Sequence, residues 1–155
     1  MLHCGSQACL FWALFTMREL HHLGIKGALQ AGSAFWPRVT RAEFDANPDE
    51  QHTHFGYQWS PAEPLSQMSV SLGNLPEVHV WVGLVETQEI LDFTTGYWPQ
   101  NCLRVLGKGW PGPKPPEFYW GPCSELPDLV HYAPERDASI FVGDLLKSLI
   151  MQGKV

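Results

Sequence analysis

The sequence has little charge and no cluster of basic residues. Only 17% of its 155 residues are charged, and the formal net charge is -6. Because electrostatic binding to nucleic acid or anionic lipid needs a patch of Lys and Arg, we expect neither partner. Apolar residues make up 45% and there are seven Trp, which is typical of a folded globule. The simplest organisation is one domain spanning residues 1–155.

Motifs for nucleotides and for structural metals are also missing. The chain has no Gly-x-Gly-x-x-Gly or Walker pattern and no Cys-x-x-Cys pair, so we expect no cofactor and assign no metal site. A weaker alternative is a metal-dependent hydrolase. His52 and His54 would share one face of an extended segment, and Asp45 or Asp49 could complete a metal site.

Long apolar segments are missing as well. Residues 9–17, CLFWALFTM, are too short to span a bilayer, no Lys or Arg precedes them and no small-residue cleavage site follows. These features favour a cytoplasmic protein without a membrane partner. The four cysteines are then expected to be thiols rather than a disulfide framework. They are Cys4, Cys9, Cys102 and Cys123.

Helix and strand patterns follow one another in the first part of the chain. Residues 7–23 carry a wide apolar stripe at helical spacing, ending before a glycine at the C′ position. A strand is predicted within residues 24–36. Residues 40–66 mix turn formers with aromatic residues, so we expect a long loop that holds one short strand at 55–59.

The clearest β pattern is a hairpin near the middle of the chain. Residues 78–85 and 89–95 are strand-like and are joined by three residues. Six prolines from Pro111 to Pro127 exclude a helix or a central strand and favour an ordered loop bearing aromatic residues. Residues 138–153 have the pattern of a C-terminal amphipathic helix.

Each strand of this hairpin holds a polar residue where an apolar one is expected. His79 and Asp92 are thirteen positions apart with a turn between them, which predicts that they lie close to directly opposite each other. An Asp that accepts from one imidazole nitrogen orients the ring and leaves the other nitrogen to act as a base. The pair therefore predicts an activated nucleophile nearby.

Cys9 is the strongest candidate for that nucleophile. It follows a plausible N-cap, Ser6, by three positions, so it lies in the first turn of the helix, where unpaired N–H groups and the helix dipole favour a thiolate. The same N–H groups could bind an oxyanion. Gln7 is a weaker candidate that would add a side-chain amide to that site. Cys4 is a weaker candidate because it precedes the helix and lacks the dipole.

Each residue alone has an ordinary structural interpretation, but their order carries a resemblance. Cys9 begins an apolar helix, a strand follows, and then come the segments His79-Val80-Trp81-Val82 and Leu91-Asp92-Phe93-Thr94. From about Gln7 to Thr95 this arrangement resembles the core of the transglutaminase-like superfamily of papain-fold thiol enzymes. That family pattern has a Cys on a helix, a His in an H-x-W-V strand and an Asp near a D-x-T strand end.

The resemblance implies an α+β fold in which the N-terminal helix bearing Cys9 packs on an antiparallel sheet. It also implies a triad of Cys9, His79 and Asp92 that acts through a thioester. We expect a cysteine peptidase or amidase whose substrate is a peptide or protein amide. Acyl transfer and a non-catalytic peptide-binding module remain alternatives. Four tryptophans are weaker candidates for binding the substrate: Trp81, Trp98, Trp110 and Trp120.

Overall fold

The computed structural model describes residues 7–49, 53–72 and 78–153, and its class is α+β. Helices pack against one antiparallel sheet, and six strands of that sheet lie in the described ranges. The helices are α1 (Gln7–His22), α2 (Arg41–Ala46), α3 (Pro64–Ser71), α4 (Trp98–Leu106) and α5 (Arg136–Met151). The strands are β1 (Gly27–Pro37), β2 (His54–Tyr57), β3 (His79–Leu84), β4 (Glu89–Asp92), β5 (Tyr119–Pro122) and β6 (His131–Pro134).

The long strand β1 organises the sheet because it pairs with three others. Its first half, from Gly27 to Gly32, pairs with β3, and its second half pairs with both β2 and β6. The hairpin of β3 and β4 then continues to β5 at the far edge, giving the order β2-β1-β3-β4-β5. Each pairing is antiparallel. The start of β3 and the end of β6 thus pair with opposite edges of β1 at Gly32, near the middle of that strand.

The two faces of the sheet carry different cores. Alternate side chains of a strand point to opposite faces, and on β3 the residues Val80 and Val82 join an aliphatic cluster with α1 and α5. Trp81 points the other way, into an aromatic cluster that includes Trp36 and Trp98. His79 shares the face of Trp81, so the candidate histidine lies among aromatic rings.

Several predicted elements are confirmed. α1 ends as expected at Gly24, whose φ of +71° is the left-handed conformation that glycine adopts without penalty. The N–H of Ile25 then bonds to the carbonyl of Leu20 at 2.9 Å, which satisfies one of the last helical carbonyls. The first strand, the hairpin and the C-terminal helix are also present. The predicted cap, Ser6, lies outside the described residues.

The predicted loop over residues 40–66 is partly wrong. It does contain β2, but it also contains α2 and the start of α3. α2 has only six residues, too few to show helical periodicity. Its start is fixed by a capping box in which Thr40 and Glu43 bond to each other's backbone N–H. That Thr-x-x-Glu pattern is the local signal that reveals the helix.

Two further elements, α4 and β6, were not predicted. α4 has Pro99 near its N-terminus and ends at Gly107 with a φ of +65°, both typical helix boundaries. β6 is only four residues long. The loop expected for the proline-rich segment is partly wrong, because the segment contains β5 and a three-residue 3-10 helix, Cys123–Glu125. β5 is an edge strand, where proline costs least, so no central strand forms in this segment.

Among the described helices, none combines the length and the apolar character needed to cross a membrane.

The contact between β1 and β6 predicts an effect on stability. A Cβ at Gly32 would collide with the backbone of β6, at the carbonyl oxygen of Ala133 and the N–H of Glu135. We expect Gly32→Ala to lower the free energy of unfolding by about 2 kcal/mol or more, in the range for overpacking. Gly143→Ala is the matched control, since a Cβ in this part of α5 has open space. Gly143→Ala should raise the free energy of unfolding by about 0.5–1 kcal/mol, because alanine is the better helix former. Urea unfolding measures both changes, and equal effects would contradict the prediction.

Candidate active site

The thiol of Cys9 lies where the first turn of α1 crosses the start of β3. Cys9 is the third residue of α1, and its Sγ is 3.6 Å from the carbonyl oxygen of Val78, the residue before β3. The side chain is buried at 6% exposure, and it belongs to the aliphatic cluster. Its position in the first turn places it at the positive end of the helix dipole.

His79 opens β3 and is buried, with 2% exposure. Its Nε2 lies 2.7 Å from Oδ2 of Asp92. Nδ1 is the ring nitrogen that Asp92 does not occupy, and the Cys9 side chain, which lines the same pocket, helps to raise the pKa of the ring. Cys9, His79 and Asp92, which come from three different elements, thus form one connected chain of polar contacts.

The expected register of the hairpin needs a correction. Val82 pairs with Leu91 and Leu84 with Glu89, so continuing the register places Asp92 opposite Trp81 rather than opposite His79. His79 and Asp92 are diagonal neighbours on the same face. Diagonal positions are still within reach of long side chains, and the 2.7 Å contact shows that this pair is in reach.

Asp92 accepts four hydrogen bonds although it is only 1% exposed. Oδ1 accepts from the backbone N–H of Thr94 at 2.9 Å and from its hydroxyl at 2.6 Å. Oδ2 accepts from His79 and, at 2.7 Å, from the hydroxyl of Tyr132 on β6. A buried carboxylate is stable only when it is paired and hydrogen-bonded, and this one is saturated.

The pair of His79 and Asp92 is charged. Burial opposes the imidazolium, but the adjacent carboxylate, its hydrogen bond and the contact with Cys9 raise the pKa of His79 to about 10. Burial likewise opposes the carboxylate, yet the imidazolium and the hydrogen bonds from Thr94 and Tyr132 hold the pKa of Asp92 below its usual value. At neutral pH the ring is therefore protonated and the carboxylate ionised.

Aromatic rings enclose the imidazole. Tyr57 stacks on His79 with a centroid distance of 5.5 Å and an interplanar angle of 15°. Trp81 stacks at 5.7 Å, and Trp98 meets the ring edge-on at 5.0 Å. Because Tyr57 and Trp81 both stack on the imidazole, they restrict rotation of the ring. The enclosure also excludes water, which strengthens the electrostatic contact with Asp92.

Cys9 and His79 both line a small pocket. Its wall combines these two side chains with aromatic rings and with the polar side chains of Thr94 and Asn101. Asn101 on α4 donates to the hydroxyl of Tyr57 at 3.2 Å. Tyr97, which also lines the pocket, is 40% exposed. The lining residues are Ala8, Cys9, Tyr57, Val78, His79, Thr94, Tyr97, Trp98 and Asn101.

The weaker site candidates are placed in different surroundings. Trp98 lines the pocket, whereas Trp81 is buried in the aromatic cluster and its indole donates to Gln30 at 2.7 Å. Trp110 packs against the same cluster, and Trp120 is 60% exposed on the edge strand β5. Neither of the last two is among the residues that line the pocket.

Gln7 is the first residue of α1, and its side chain lies outside the described part of the structure. Cys4, the alternative nucleophile, also lies outside it. Among the described residues, Cys9, Cys102 and Cys123 are not in disulfide bonds.

The alternative metal site finds little support in the geometry. Both ring nitrogens of His54 already contact the protein, Nδ1 at 3.0 Å from the hydroxyl of Thr53 and Nε2 at 3.0 Å from the carbonyl of Leu129. Asp45 is paired with Arg41, and His52 lies outside the described residues. Across residues 7–49, 53–72 and 78–153, no group of three or more His, Cys, Asp or Glu could hold a metal ion.

The sequence did not reveal Tyr132, Tyr57 or Asn101 as parts of the site. Tyr132 lies forty residues beyond Asp92 on a strand of four residues, where no pattern marks it. Thr94 did carry a local signal, because a Thr two positions after an Asp commonly closes a turn by bonding to its carboxylate. Here that turn and the role of Asp92 toward His79 coexist.

No protein-family model, curated protein or solved structure significantly matches this chain.

The charged pair predicts a pH dependence of stability. His79 has a folded pKa above its unfolded value of 6.5, so its contribution is complete below pH 6.5 and is lost as the pH rises through about 10. The matched variant is His79→Gln with Asp92→Asn, which removes both charges. We expect its deficit in unfolding free energy relative to wild type to shrink steadily as the pH rises through this window. Urea unfolding at several pH values measures this, and a constant deficit would contradict it.

Proposed function

We propose that this chain is a cysteine hydrolase of the transglutaminase-like, papain-fold type that cleaves a peptide or protein amide. The observation that carries the proposal is the meeting of Cys9, His79 and Asp92 in one polar chain at the wall of a pocket. The packing of α1 on the antiparallel sheet supports the proposed fold type, because it presents a helix start to the strand that bears the histidine.

The raised pKa of His79 defines the starting state of the proposed reaction. The imidazolium keeps one proton on Nε2, toward Asp92, and a second on Nδ1, toward Cys9. Cys9 then acts as a thiolate that faces a positive charge, the arrangement that activates a cysteine. His79 therefore acts first as an acid, whereas the sequence alone suggested that it first removes the proton from the thiol.

In the acylation step, the Cys9 thiolate attacks the carbonyl carbon of the amide. A C–S bond forms and the carbonyl electron pair moves to oxygen, giving a tetrahedral oxyanion. Cys9 lies in the first turn of α1, so the positive end of the helix dipole is near that charge and stabilises it. The oxyanion then collapses, the C–N bond breaks, and the proton on Nδ1 of His79 passes to the departing amine.

In the deacylation step, His79 is neutral and becomes a general base. Nδ1 removes a proton from water, the hydroxide adds to the thioester carbon, and the C–S bond breaks to release a carboxylic acid and the Cys9 thiolate. Asp92 holds the Nε2 proton throughout, so Nδ1 is the only nitrogen that exchanges protons. Hydrolysis is favoured over transfer to an amine because water needs no second binding site.

The first test uses the reactivity of the thiols. Iodoacetamide reacts only with a thiolate, the form that the proposed pairing with His79 favours at Cys9. At pH 6 it should therefore alkylate Cys9 roughly tenfold or more faster than Cys123. Cys123 is exposed and serves as an internal reference in the same sample. In His79→Gln the advantage of Cys9 should vanish while the rate at Cys123 stays unchanged. Peptide mass spectrometry measures both sites between pH 4 and 9.

If the rate at Cys9 instead rises only in the alkaline range and is the same in His79→Gln, the thiol is an inert part of the core. That outcome refutes the hydrolase and favours a peptide-binding module.

The second test is turnover. Against a panel of fluorogenic peptide amides and isopeptides, Cys9→Ala should lower kcat by about 10³-fold or more, since removal of the nucleophile leaves only binding and oxyanion stabilisation. Circular dichroism and urea unfolding should show an intact fold. Cys123→Ala, the matched control, should keep full activity. Activity that persists in Cys9→Ala would refute the assignment of the nucleophile.

A further inference from the structure

The hydroxyl of Tyr132 occupies a position that the proposed triad does not account for. It lies 2.7 Å from Oδ2 of Asp92, the same oxygen that accepts from His79. The side chain is buried, with 8% exposure, and it reaches the site from β6, a strand that pairs with β1. Gly32 of β1 pairs with Pro134 of β6 on one edge and with His79 of β3 on the other edge.

The direction of the hydrogen bonds around Tyr132 is fixed. The indole N–H of Trp36 lies 3.1 Å from the Tyr132 oxygen, and an indole nitrogen can only donate. An ionised carboxylate can only accept. The single hydrogen of the Tyr132 hydroxyl must therefore point to Asp92. The result is a one-way chain from Trp36 through Tyr132 to Oδ2, where it meets the proton that His79 donates from Nε2.

We propose that Tyr132 is a positioning residue of the candidate active site, which locks the Asp92 carboxylate so that His79 keeps its proton on Nε2 and presents Nδ1 to Cys9. This inference rests on the proposed function for its catalytic consequence. Thr94 fixes Oδ1 from within the same turn, whereas Tyr132 fixes Oδ2 from a distant strand. With both oxygens held, the carboxylate cannot rotate away from the imidazole.

A role in packing alone does not explain the hydroxyl. The ring of Tyr132 stacks on Tyr119 at 6.1 Å and meets Trp81 edge-on at 5.2 Å, contacts that a phenylalanine ring would keep. Burial and the adjacent Asp92 carboxylate hold the pKa of Tyr132 well above its usual value. The hydroxyl thus stays protonated, and remains a donor, at every pH where the pair of Asp92 and His79 is charged.

The test compares Tyr132→Phe with Tyr119→Phe. Both variants lose one phenolic hydroxyl from stacked, buried rings. Tyr119 pairs with Asp92 in the register of β4 and β5, whereas Tyr132 is the one of the two whose hydroxyl bonds to the carboxylate. In wild type, the Nε2 proton of His79 should give a far-downfield, slowly exchanging NMR signal because its hydrogen bond is short and charged. Tyr132→Phe should broaden or lose this signal and lower the alkylation rate of Cys9 at pH 6 by about tenfold. Tyr119→Phe should change neither.

A measurement on the wild-type protein covers the case in which Tyr132→Phe does not fold. The Tyr132 hydroxyl proton and the His79 Nε2 proton converge on one oxygen, so they should show a nuclear Overhauser effect with each other. Absence of that effect, or an unchanged His79 signal in Tyr132→Phe, would overturn the proposal. If Cys9 is unreactive in wild type, the hydrolase fails, and the NMR comparison still decides whether Tyr132 positions the pair.

Discussion

The burial of one carboxylate, that of Asp92, is the constraint on which the site depends. An ion removed from water costs several kcal/mol unless it is paired and its lone pairs are satisfied. Asp92 meets this requirement with four donors from three parts of the chain, namely His79 on β3, Thr94 in the adjoining turn and Tyr132 on β6. None of these elements can shift without leaving a buried charge unsatisfied.

The sheet topology brings those parts together. β1 is long enough to pair with β3 along its first half and with β6 along its second, and Gly32 lies where the two meet. A glycine is needed there because a side chain would strike the backbone of β6. The start of β3, with His79, and the short strand that carries Tyr132 consequently flank the same part of β1 on its two edges, although they are more than fifty residues apart in sequence.

The two cores of the sheet position different parts of the site. The aliphatic core fixes α1 and therefore the first turn that holds Cys9. The aromatic core surrounds His79 with Tyr57, Trp81 and Trp98, which restrict the ring and exclude water. The Cys9 thiol belongs to the aliphatic core and the His79 imidazole lies among the rings of the aromatic core. The pocket therefore forms at the start of β3, where the two cores meet. The proposed chemistry uses this boundary, since it needs a nucleophile and a charged acid that face each other.

The sequence by itself determined the elements whose signals are local. The apolar stripe of α1, its end before Gly24 and the hairpin of β3 and β4 depend on residues close in the chain. The selection of Cys9, His79 and Asp92 as candidates rested on their order along the chain. The sequence did not determine the diagonal pairing of His79 with Asp92, because that register depends on the length and type of the turn between Leu84 and Glu89. Only the tertiary structure decided that Tyr132 bonds to Asp92 and that Tyr57 stacks on His79. Such contacts arise from the packing of distant strands, and no spacing along the chain records them.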